Sequence, residues 1–336
     1  MDLLPDFIDA LGLTHPLTYT ALFLAASLLM IWRLEAMLDH GLEGTALGTI
    51  VMPYCSGLPN LIFIWLMVGR RGAGKEVLTN CLVNNVTNLT LLLGLPAIFW
   101  GLSVVDPTGG GGAKAKKGGG AAGSAQQINR LTLIFTLVAV MFFSGAVWAL
   151  GQDGRLTQSD GFMLIGLFLF WQSFQVHDVL KHNLRHRVSI KWMFYVDLVL
   201  VLLGACGIYV SIDWLVEWLE AQRGGFFRAD NLGWLSGWLM VLPNALLALY
   251  WGRKRRADVV YTSQVGDGHI CIPLCLGLFA IFKPLPVSEF ATHGMWLLLG
   301  TAGAHILFLL SLGGLPRWTG GVLVAAYGWF LWTGLA

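Results

Sequence analysis

Residues 56–60 read Ser56-Gly57-Leu58-Pro59-Asn60, and residues 240–244 read Met240-Val241-Leu242-Pro243-Asn244, each within a long apolar run. Gly69-Arg70-Arg71 and then Leu93-Gly94-Leu95 follow the first copy; Gly252-Arg253 and then Leu276-Gly277-Leu278 follow the second. Asn60 precedes Gly94 by 34 residues and Asn244 precedes Gly277 by 33. A lone Leu-Pro-Asn recurs by chance. The tripeptide, the basic turn and the Leu-Gly-Leu terminus at matched spacing make chance a poor account. Each copy is a pair of apolar segments joined by a short basic turn.

Composition says what solvent those segments occupy. Of 336 residues, 56% are hydrophobic and 12% charged, against about 25% charged in an average soluble domain. Mean hydropathy is +0.68. So few ionisable side chains cannot cover a soluble surface. Continuously apolar runs, rather than alternating ones, select membrane helices over a membrane barrel. With about 20 apolar residues per crossing, ten spans are expected near 17–34, 45–68, 77–100, 131–150, 161–180, 191–212, 231–252, 257–282, 292–312 and 317–336. Residues 103–129, rich in Gly and Ala with Lys114, Lys116 and Lys117, are expected to be a flexible linker. The start, Met1 to Asp6, lacks a basic n-region, so no cleavable signal peptide is expected.

Five spans separate equivalent positions of the two copies. An odd number turns one copy upside down relative to the other, an arrangement found in transporters with a site at the bilayer midplane. The chain therefore divides into a first five-helix repeat, 1–181, and a second, inverted one, 182–336. Placing both termini outside puts twice as many of the 21 basic residues on the cytoplasmic side as on the outer side, which the positive-inside rule favours. The expectation is a multi-pass protein of a bacterial inner membrane. Pro59 and Pro243 each remove a helical hydrogen bond, and carbonyls freed at that depth persist where they line a cavity.

These residues resemble the sodium/calcium exchanger (cation antiporter) superfamily, whose two α-repeats read roughly GTSLPE, GNVVGSNIFN and LLLG. The first repeat gives Gly57-Leu58-Pro59-Asn60, then Asn80 through Asn84-Asn85-Val86-Thr87-Asn88, closing at Leu93-Gly94. The second gives Leu242-Pro243-Asn244, then Gly266-Asp267-Gly268-His269-Ile270-Cys271, closing at Leu276-Gly277. The resemblance implies an all-α fold of ten helices in two inverted five-helix repeats, exchanging cations across the membrane. It also implies a departure. Where the family keeps a Glu in each repeat this chain has Asn60 and Asn244, and although Ser56 keeps a hydroxyl, Met240 and Val241 do not. The family's remaining ligand positions fall on Asn84 and Asn88, and on Asp267 and Cys271.

Ca²⁺ takes six to eight oxygens, and the charge of its ligands sets affinity. A centre of Ser56, Asn60, Asn84, Asn88, Asn244 and Asp267 offers amide oxygens and one carboxylate. That suits a monovalent ion such as sodium or potassium, or a proton, better than calcium. No resident cofactor is expected. Two other readings stand beside it. Cys55, Cys81, Cys271 and Cys275 supply soft ligands for Cu(I) or Zn²⁺, or simply small packing residues. The loss of both Glu also fits an exchanger-like subunit that no longer transports and serves a larger membrane complex. Besides lipid, an inorganic cation and such subunits, no partner is implied. No basic patch interleaved with aromatics points to nucleic acid. No nucleophile–base pair or phosphate loop points to an enzyme.

Overall fold

The computed structural model describes residues 15–39, 52–70, 72–104, 121–183, 192–266 and 268–335. Asp267 lies outside the described residues, as does 105–120 of the expected linker. The helices are α1 (Pro16–Asp39), α2 (Met52–Val68), α3 (Gly74–Leu89), α4 (Leu91–Trp100), α5 (Ala121–Leu150), α6 (Gln158–Asn183), α7 (Met193–Ala221), α8 (Leu232–Arg253), α9 (Ala257–Val265), α10 (Leu276–Phe282), α11 (Glu289–Leu312) and α12 (Arg317–Leu335). Taking α3–α4 and α9–α10 as single interrupted rods, seven of the described helices are long and apolar enough to cross a membrane, and Gly57–Val68 is a shorter apolar stretch. Of the ten expected crossings, α2, α6 and α12 lie outside those seven. Residues 121–129 correct the linker: the run Ala121-Ala122-Gly123-Ser124-Ala125-Gln126-Gln127 is helical, in keeping with the helix propensity of Ala and Gln.

The helices pack in matched pairs. α1 lies along α7, α5 along α11, α4 along α12 and α6 along α10. Laying α1–α6 onto α7–α12 converts the α4–α12 contact into the α10–α6 contact. Two short antiparallel ribbons obey the same exchange. β1 (Leu102–Ser103), just after α4, pairs with β4 (Gly314–Leu315), and β2 (Arg155–Leu156) pairs with β3 (Leu285–Pro286), just after α10.

The Leu-Gly-Leu signatures lie at these contacts. A Cβ added at Gly94 would come 3.0 Å from the Gly320 carbonyl oxygen, and one at Gly277 would come 3.1 Å from that of Gly161. The two halves thus cross each other glycine on glycine at both contacts, letting two backbones touch where dispersion rather than water drives association. α1 and α7 are also tied by an ion pair: Arg33 Nη1 lies 3.4 Å from Oδ1 of the buried Asp197. The amino terminus of α8 is capped from the adjacent α3, its Gly233 N–H donating to Glu76 Oε2 at 2.6 Å. A carboxylate there meets both a free N–H and the positive end of the helix dipole.

Candidate functional site

α3 is the element around which the site is built. It carries Thr79, Asn80, Asn84, Asn85, Thr87 and Asn88, yet every residue from 77 to 90 is buried. Polar side chains at that depth must find partners among themselves or in the backbone. Asn88 Nδ2 donates to Asn84 Oδ1 at 2.9 Å, and Asn84 Nδ2 donates in turn to Asn60 Oδ1 on α2 at 3.1 Å. The i, i+4 spacing of Asn84 and Asn88 puts both on one face. Asn60, Asn84 and Asn88 therefore meet as one head-to-tail amide chain.

The two ends of this chain, Asn88 Oδ1 and Asn60 Nδ2, have no hydrogen-bond partner among the described residues, and neither do Asn80 Oδ1 on the same helix, Ser27 Oγ on α1, and Gln264 Oε1 and His269 Nδ1 on the second half's rod. Beside Asn60, Pro59 faces Pro243 and Asn244 across a cavity of about 10 Å³ completed by Ser27, Met30, Ile31 and Met240. That is about the room one water needs. Both prolines sit inside helices that continue past them, over Met52–Val68 and Leu232–Arg253. The interruptions fall instead in the partner rods. Thr90 separates α3 from α4 with φ −108° and ψ −73°. In the second half the rod passes from α9 through a single turn, Gly268–Ile270, into a π-helical segment, Cys271–Cys275, that contains Pro273. Such π segments cluster at functional sites.

Ser56 and Cys55 belong to α2, and their side chains lie outside the described set. Cys271 opens the π segment and Cys275 closes it, and the Cys275 thiol reaches those of Cys271 and Cys81. Even so, among the described residues no group of three His, Cys, Asp or Glu side chains is placed to hold a metal ion. Met240 is engaged: its thioether accepts from Asn80 Nδ2 at 3.4 Å, and Asn80 also donates to Ser236 Oγ at 2.9 Å.

Residues that the motif reading passed over complete the picture. Gln264 on α9 donates to the Asn244 carbonyl at 3.2 Å, a polar contact to the Leu-Pro-Asn segment from within the second half. Its signal was available, since a glutamine within an apolar span is costly unless used. Asn80 carried a signal too, standing at the Asn of the family's GN. His305 and Tyr261, both buried, belong to no motif at all.

A model of the sodium/calcium exchanger protein family matches residues 16–176 and 196–335. The chain belongs to that family. Within it, the sodium/calcium exchanger MaX1 of Methanosarcina acetivorans is 35% identical over 66 residues, which is 20% of this chain and 19% of that protein. The match thus spans about a fifth of the curated relative. Among solved structures, the sodium-calcium exchanger NCX_Mj soaked with Na⁺ and Sr²⁺ superposes with a TM-score of 0.66 at 20% identity, covering 97% of this chain and 99% of that one. The same exchanger soaked without Na⁺ and Ca²⁺ gives 0.62 at 18% identity, covering 96% and 99%. The exchanger fold therefore extends over nearly the whole chain.

Proposed function

We propose that the chain is a cation antiporter of the sodium/calcium exchanger type whose altered site takes a monovalent cation or a proton in preference to calcium. Membership of the exchanger family supports the reaction class. The observation that carries the altered site is the set of buried amide oxygens without donors, Asn88 Oδ1, Asn80 Oδ1 and Gln264 Oε1. An unmet carbonyl-type oxygen in a low-dielectric interior costs about 1–3 kcal/mol, and a passing cation relieves that cost. Amide oxygens can replace the hydration of a singly charged ion. They lack the ligand charge that strong Ca²⁺ binding uses. Asp267 supplies the site's carboxylate in this reading, and it is the group that would carry a proton.

The remaining assignments follow the same reading: halves at 1–181 and 182–336, an inner-membrane location in a bacterium, both termini outside, and no cofactor other than the transported ion. The test is flux in proteoliposomes under separate Na⁺, K⁺, H⁺ and Ca²⁺ gradients. Exchange driven by a monovalent gradient, reduced in Asp267→Asn, is expected. Calcium-driven exchange that survives Asp267→Asn would overturn the monovalent site. A second reading, a non-transporting subunit of a larger membrane complex, is favoured by one observation: Asn60, Asn84 and Asn88 already bond to each other. Absence of flux under every gradient, with other subunits co-purifying, would establish it.

A further inference from the structure

The interruption after Leu89 is held by a cluster the motifs do not contain. His305 of α11 points its Nε2 at the Leu89 carbonyl oxygen, 2.8 Å away, and its Nδ1 at the Tyr261 hydroxyl of α9, 3.3 Å away. The Tyr261 and His305 rings meet edge-on, with centroids 5.6 Å apart at 89°. A carbonyl only accepts, so Nε2 carries the hydrogen and Nδ1 is free to accept from the tyrosine. With a neutral imidazole the order of donation is Tyr261 to His305 to Leu89. Leu89 is the last residue of α3, where helix carbonyls lose their intrahelical donors. At that depth no lipid group replaces them.

We propose that His305 and Tyr261 are positioning residues for the cation site, clamping the broken end of α3 to α9. At one end of the clamp Leu89 follows Asn88, the start of the amide chain that runs through Asn84 to Asn60. At the other end Tyr261 lies three residues before Gln264, whose amide donates to the Asn244 carbonyl. One histidine from a third helix therefore sets the spacing between the polar groups of the first half and those of the second. Where the second half's rod is interrupted, a Cβ on Gly268 would meet both Val140 of α5, at 2.9 Å, and Asn85 Oδ1 of α3, at 3.1 Å, so α3 borders both interruptions.

The ion-positioning role rests on the transport reading; the clamp itself does not, and two measurements separate them. His305→Leu removes both bonds, Tyr261→Phe removes one, and His305→Gln keeps an Nε2 donor for Leu89. Hydrogen exchange of the full chain in nanodiscs, read over 86–94, should rise about 10-fold in His305→Leu and return towards wild type in His305→Gln, for one buried hydrogen bond lost and regained. In proteoliposomes, His305→Leu should raise the half-saturating concentration of the transported ion by a similar factor, with maximal rate changed far less. Unchanged exchange over 86–94 in both His305→Leu and Tyr261→Phe would overturn the clamp. Loosened exchange with an unshifted half-saturating concentration would overturn the positioning role. A wild-type chain that carries no ion overturns the transport reading and leaves the exchange result to judge the clamp.

Discussion

The glycine crossings permit a prediction with its own internal control. On α12, Gly320 and Gly321 are neighbours of identical chemistry. A Cβ on Gly320 would lie 2.5 Å from the Gly94 carbonyl oxygen and 2.8 Å from Ile98 Cγ1, whereas a Cβ on Gly321 meets nothing within 4 Å. Ordinary contact begins at 3.4 Å, so Gly320→Ala forces α12 to retreat from α4 by about 0.9 Å or to bend. Overpacking of this kind costs about 1–3 kcal/mol. Both substitutions gain about 1 kcal/mol of helix propensity, and that gain cancels in the comparison. Thermal unfolding in detergent should place Gly320→Ala below Gly321→Ala by about 2 kcal/mol, or roughly 4 °C for a chain of this size. The other half offers a repeat of the experiment. On α6 a Cβ at Gly161 would lie 2.8 Å from the Gly277 carbonyl oxygen, and one at Gly166 meets nothing within 4 Å. Equal melting of the paired variants in either half would refute the idea that backbone contact, rather than glycine content, is what the Leu-Gly-Leu signatures preserve.

Three further outcomes follow from named contacts. Arg33→Leu removes the guanidinium that lies 3.4 Å from the buried Asp197 and should cost up to about 3 kcal/mol, while Arg33→Leu with Asp197→Leu should recover part of it; a double variant no more stable than the single one contradicts that account. Asn84→Leu breaks both links of the amide chain and should lower stability by about 2–4 kcal/mol and abolish flux, measured by melting and in proteoliposomes. Glu76→Ala leaves the Gly233 N–H without its carboxylate and should cost about 1–3 kcal/mol, with hydrogen exchange rising first at the start of α8.

Much of this architecture was legible in the chain. The two Leu-Pro-Asn segments and the two Leu-Gly-Leu termini mark equivalent places in two halves, and the motif alone singles out Asn60, Asn84 and Asn88. The partners of those motifs were hidden by distance along the chain: nothing near Gly94 points to Gly320, nor anything near Gly277 to Gly161. The second half was harder to register because its rod is irregular. Its π segment lies at Cys271–Cys275, beyond Gln264, and the family motif draws attention past Gln264 to Asp267 and Cys271. Thr90 gave no warning either, since threonine followed by Leu91, Leu92 and Leu93 reads as unbroken helix. His305 was invisible for a simpler reason: its value lies in joining α3 to α9, and α11 carries no motif of its own.

A head-to-tail run of amides has polarity. As built, Asn88 donates to Asn84 and Asn84 to Asn60, so a bare oxygen is offered at the Asn88 end and a bare NH₂ at the Asn60 end. Turning each amide over by half a revolution about its last torsion keeps the same number of bonds and moves no backbone. It also exchanges the ends, baring oxygen at Asn60 and NH₂ at Asn88. In the proposed cation site, a cation at one end would select one sense of the run and leave the opposite end repelling a second cation. Three neutral side chains acting together would then behave as a single reversible arrow, favouring one ion at a time without a charge of their own.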